Sequence, residues 1–82
     1  MASASVCLYY HARIERAKIW FVVGSLRNED HVCFERALDK KMNTFEFFVP
    51  EGQQVRFLQL MNYFTTHGFV FGLEQRDNPF GA

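Results

Sequence analysis

Along residues 6–14 the chain alternates, with Val6, Leu8, Tyr10, Ala12 and Ile14 on one side and Cys7, Tyr9, His11 and Arg13 on the other, which is the period of a half-buried strand. Residues 15–28 are harder to read, because Ile19, Trp20, Phe21, Val22 and Val23 form a continuous β-favouring run. On a helix, Ile19, Trp20, Val22, Val23 and Leu26 fall into one apolar stripe. A strand would need a tight hairpin between Ile14 and Lys18 with no Gly, Asn or Pro to turn it, so the reading is helix. Gly24 costs that helix about 1 kcal/mol relative to Ala, and close approach of its backbone to a neighbour is the expected reason for it.

Asn28, Glu29 and Asp30 break the helix. A second alternating stretch puts Val32, Phe34 and Leu38 on one side and Cys33, Glu35 and Ala37 on the other. Arg36 is the exception on the apolar side, which points to a strand edge where its head reaches water. Asp39, Lys40, Lys41, Met42 and Asn43 form a polar turn, after which Phe45, Phe47 and Val49 alternate with Thr44, Glu46 and Phe48. Pro50 ends that strand. Residues 51–67 predict the clearest helix, with Glu51 near its positive end, a stripe of Phe57, Leu58, Met61 and Phe64, and a stop at Gly68. Phe69, Phe71 and Leu73 then alternate with Val70, Gly72 and Glu74, and Asp77, Asn78 and Pro79 close the last strand ahead of a mobile tail.

The predicted order is βαββαβ. With right-handed crossovers it gives an α+β, ferredoxin-like two-layer sandwich: an antiparallel sheet of order 4-1-3-2 with both helices on one face. The 82 residues make one domain, ordered over about 5–77.

Composition narrows the function classes. Hydrophobic residues make up 49% of the chain and aromatics 17%, enough to close a core without disulfides or metals. Ten Phe, three Tyr and one Trp are many for so short a chain, so some rings are expected at the surface, where an aromatic patch means a partner. Nine Lys plus Arg balance nine Asp plus Glu, and no more than two basic residues are adjacent, which argues against nucleic-acid binding driven by phosphate neutralisation. Zero net charge also removes repulsion between copies. Residues 1–5 lead into the alternating segment rather than into a signal peptide, and no apolar run reaches ~20 residues. The expectation is a cytoplasmic protein without membrane contact, its two cysteines, Cys7 and Cys33, being reduced thiols.

Three segments, Arg16-Ala17-Lys18-Ile19, Ala37-Leu38-Asp39-Lys40 and Phe48-Val49-Pro50, together with the helix from about Glu51, carry a resemblance. The pattern resembles a family of short bacterial proteins of unknown function and, more widely, the ACT-like ferredoxin folds. That resemblance implies association through sheets or helices and, in some members, amino-acid binding at the interface. It brings no ligand motif with it residue by residue.

The sheet face away from the helices is predicted to carry Cys7, Tyr9, His11, Arg13, Cys33, Glu35, Thr44, Glu46, Phe48, Val70, Gly72 and Glu74. Tyr9, His11, Arg13, Glu35, Glu46 and Phe48 are its candidate interface or ligand residues. Tyr9 and Phe48 on the central strands suggest base stacking, which Glu35, Glu46 and Glu74 would oppose by repelling phosphates. Cys7, His11, His31 and Cys33 contain metal-ligating types, but strands one and two are two spacings apart, about 10 Å, too far for a shared zinc. Asp39, Lys40 and Lys41 read as a solvated turn, His67 as a complement to the helix dipole and Trp20 as core. No nucleophile has an evident base, so neither a catalytic residue, a metal nor a cofactor is expected. The leading expectation is a non-catalytic interaction or regulatory module, a homodimer or partner binder that uses the open face or an edge of its sheet. Single-stranded RNA binding through Tyr9 and Phe48, and small-metabolite sensing through His11, Arg13 and Glu35, are the alternatives.

Overall fold

The computed structural model describes residues 7–29 and 32–77. Val6, the Asp30 and His31 readings, Asn78, Pro79 and the expected tail lie outside the described residues. Six elements follow in order: β1 (Cys7–Ile14), α1 (Ile19–Asn28), β2 (Phe34–Asp39), β3 (Thr44–Pro50), α2 (Gln54–Thr66) and β4 (Val70–Arg76). Short 3₁₀ turns, Arg16–Lys18 and Glu51–Gln53, lead into the two helices, so each begins about one turn later than its sequence suggests. The run at Ile19 to Val23 is helical, as its apolar stripe predicts.

The strands lie in the order β2-β3-β1-β4, every pair antiparallel, which is 4-1-3-2 read from the other edge. The protein is thus α+β, compatible with a small ferredoxin-like fold. Its core cluster joins Tyr10, Ala12 and Ile14 of β1, Phe47 and Val49 of β3 and Val70 of β4 to Val22 and Leu26 of α1 and Phe57, Met61 and Phe64 of α2. Because Tyr10, Ala12 and Ile14 share one side of β1, both helices cover that side. Gln54 donates to the Tyr10 hydroxyl at 2.9 Å, satisfying the polar end of a buried ring. Arg56 of α2 makes a two-toothed contact with Glu29, at 2.9 and 3.0 Å, which ties the end of α1 to the second helix. That contact holds the Glu29 carboxyl below its ordinary range.

Local chemistry sets the turns. Asp39 Oδ1 accepts from the Lys41 and Met42 amides at 2.9 and 3.3 Å, and Asn43 takes the left-handed conformation at φ 54°. At the end of α2, the Phe69 amide donates to Phe64 O and the Gly68 amide to Thr65 O, with Gly68 at φ 77°, a Schellman cap. His67 Nδ1 donates to Tyr63 O at 2.9 Å, so this histidine serves the helix end.

Four expectations are corrected. In β2, Glu35 pairs with Phe47 and Phe34 with Phe48, so Glu35 and Ala37 lie on the helix side and Phe34 on the open side, 72% exposed. Val32 and Cys33 both turn inward before the strand begins, and alternation counted from Val32 therefore arrives at Phe34 one step out of phase. In β4, Gly72 at φ 69° sits opposite a register shift, so Val70 faces the core, Phe71 pairs with Arg13 on the open side and Leu73 returns to the core. Trp20 is 87% exposed. At about 100° per residue it stands roughly 160° round α1 from Val22, off the buried stripe. Gly24 is also exposed, and a Cβ there would meet nothing within 4 Å, so close approach does not explain it.

Candidate functional site

The open face is built by alternate residues of four strands: Cys7, Tyr9, His11 and Arg13 of β1, Thr44, Glu46 and Phe48 of β3, Phe34 and Arg36 of β2, and Phe71, Glu74 and Arg76 of β4. Its centre is buried although no helix covers it. Tyr9 is 6% and Glu46 2% exposed, and neither belongs to the core cluster.

A hydrogen-bonded chain accounts for that burial. Tyr9 donates its hydroxyl to Glu46 Oε1 at 2.5 Å, and Arg36 donates Nε to Glu46 Oε2 at 2.5 Å. His11 Nε2 lies 2.8 Å from the Tyr9 oxygen. Since the Tyr9 proton is directed at Glu46, the His11 contact is made by an Nε2–H donating to Tyr9, which specifies the protonated nitrogen of the ring. Phe48 lies against Tyr9 at 5.0 Å between centroids, and the Arg36 guanidinium lies 6.0 Å from the Phe48 centroid. Burial, followed by the bond to Glu46, pushes the Tyr9 hydroxyl up to about 12. Among the described residues no buried side-chain nitrogen or oxygen lacks a partner, so this polar centre is internally complete.

The rim is apolar and basic. Phe34 and Phe71 are exposed, and Arg13 sits 5.6 Å above the Phe71 ring while donating to Met42 O at 3.3 Å. Glu74 and Arg76 pair along β4.

Of the residues singled out from sequence, Tyr9, His11, Glu46 and Phe48 come together, and Arg13 lies on the same face at one end. Glu35 does not join them. Its side chain, 7% exposed, is on the helix side and pairs with Arg27 of α1 at 2.8 Å, so His11, Arg13 and Glu35 do not form one ligand site. Arg36 is the member that sequence reasoning missed. Its interruption of an apolar alternation was the available signal: Arg36 stands on an edge strand with its side chain 64% exposed, as expected, and also pairs with Glu46. Cys33 packs against the core, where burial, and then Glu35, pushes its thiol up to about 12, whereas Cys7 belongs to the open-face set. Among the described residues no three His, Cys, Asp or Glu side chains are placed to hold a metal ion, and no helix is long and apolar enough to cross a membrane.

No family model matches the chain, and no curated protein or solved structure is significantly similar to it.

Proposed function

We propose that this is a small non-catalytic interaction module that self-associates through its sheet. One observation carries the reading: the exposed large apolar residues of the sheet, Phe34 and Leu38 on β2 and Phe71 on β4, stand on its two edge strands around a centre already satisfied. A protein surface set on this face or against either of its edges would bury apolar side chains without stranding a charge, since Glu46 and Tyr9 already have their partners. Homodimerisation fits the absence of net charge.

The chemistry of the centre argues against catalysis. A tyrosine held at about 12 keeps its proton at neutral pH, the wrong direction for a base or nucleophile. Base stacking is disfavoured in turn, because the Tyr9 ring is covered and its hydroxyl is engaged.

Light scattering over a dilution series tests the proposal. A mass of twice the monomer at ~100 μM is expected, a concentration at which a micromolar dimer is mostly assembled. A strictly monomeric protein up to ~1 mM overturns it.

A further inference from the structure

Among the described residues β4 is an edge strand, paired with β1 along one side only. Beyond the Gly72 bulge its regular stretch centres on Gln75, with Glu74 before it and Arg76 after it. Glu74 and Arg76 share the open side, as their pairing with His11 and Tyr9 and their own ion pair require. On the helix side a groove runs between this strand and α2, lined by Val55, Leu58 and Leu73, with Val55 72% exposed.

We propose that β4 is the self-association edge: two copies pair β4 with β4 antiparallel about a two-fold axis through Gln75, making one eight-stranded sheet. The inference rests on the self-association proposed above. Charge complementarity commits the edge to a second copy. An axis at Gln75 sets Glu74 of each copy opposite Arg76 of the other, and the two existing pairs merge into a closed network of four alternating charges. β2 cannot do the same. Strand pairing about a perpendicular two-fold joins residues of the same face, so an axis at Arg36 opposes two arginines, one at Glu35 opposes two glutamates, and the register shift between Ala37 and Asp39 leaves no regular stretch about Ala37. Pairing through β4 also brings the two α2 grooves side by side, and Val55 and Leu58 then supply the apolar area that a short strand pair lacks. Both open faces point the same way, so the dimer presents a doubled copy of the Phe34 and Phe48 surface.

Site-directed crosslinking tests the register. In a Cys7→Ser/Cys33→Ser background, Gln75→Cys places two thiols at the axis. Directly opposed residues of antiparallel strands have Cα atoms about 4.5–5.5 Å apart, within disulfide range. A disulfide-linked dimer is expected with oxidised glutathione at ~100 μM protein, and none from Ala37→Cys on β2. Sedimentation gives the second readout. Glu74→Arg weakens the dimer at least about tenfold, the Glu74→Arg/Arg76→Glu double variant restores it to within about threefold, and Val55→Asp on the exposed face of α2 weakens it independently. Circular dichroism confirms that each variant is folded. A dimer that is indifferent to Glu74→Arg and does not crosslink through Gln75→Cys, or that crosslinks through Ala37→Cys, overturns the β4 assignment and leaves self-association standing. A chain monomeric at every concentration overturns both.

Discussion

Tyr9 holds its proton more tightly in the folded chain than in the unfolded one, and this fixes the sign of a pH effect. Its folded pKa, about 12, lies above the ordinary value of 10.0. Between these values the folded state binds more protons than the unfolded state, so the stabilisation is complete below about pH 10 and is lost as pH rises towards 12. Urea midpoints measured from pH 9 to 11.5 should fall more steeply for the wild type than for Tyr9→Phe, which has no proton there to lose. At pH 7, by contrast, Tyr9→Phe should be less stable by about 1–3 kcal/mol, because the buried Glu46 carboxylate loses a donor. Parallel curves for the two proteins at high pH would contradict this account. Gly24 offers the opposite case. With open space around it, Gly24→Ala should raise stability by about 0.5–1 kcal/mol, or roughly 4–8 °C per kcal/mol in melting temperature for a chain of this size.

At the scale of elements, periodicity exposed most of the architecture. The alternation of Tyr10, Ala12 and Ile14 and of Phe45, Phe47 and Val49 identifies the central strands, and Phe57, Met61 and Phe64 identify the buried stripe of α2. These elements are covered on one side along their whole length, and complete coverage imposes a clean period. The edge strands were misread for the complementary reason. Among the described residues β2 has one partner, most of its residues are exposed, and its phase is shifted by two inward residues before it starts, while β4 takes an extra residue at Gly72. Phe34 and Phe47 look alike in sequence and differ fully in the fold, which makes them a sharp comparison. Phe34→Ser should leave the urea midpoint of the monomer within about 0.5 kcal/mol of wild type. Phe47→Ala should cost about 3–5 kcal/mol. Equal losses from the two would place Phe34 in the core and reverse the face assignment of β2. The candidate site was legible only in part. Tyr9, His11, Glu46 and Phe48 share a strand face that alternation reveals, whereas the link from Arg36 to Glu46 spans two strands whose register no local pattern records.

For the whole molecule, both helices lie on one side of the sheet and, among the described residues, nothing covers the other. The uncovered side mixes Arg13, Arg36 and Arg76 with Glu46 and Glu74, and two of the three arginines are already paired with carboxylates. That distribution gives little net attraction for a phosphate backbone. Mixed-sequence single-stranded RNA at ~20 mM salt should therefore produce no fluorescence or mobility shift at protein concentrations up to ~100 μM, a salt at which phosphate attraction is weakly screened. Saturable binding under those conditions would restore base stacking as the leading function.

Gly72 has a consequence for how this chain tolerates changes in length. The bulge absorbs the extra residue at that point, so Val70 enters the interior while Glu74 stays outside. Removing Gly72 would leave a regular strand in which Val70 and Leu73 still point in and Phe71 and Glu74 still point out, because β4 carries one residue more than β1 at that point. A single codon lost at Gly72 would therefore cost the local bend of the bulge and leave each side chain on its own face. Gly72 is thus the position of this strand at which a deletion is best tolerated.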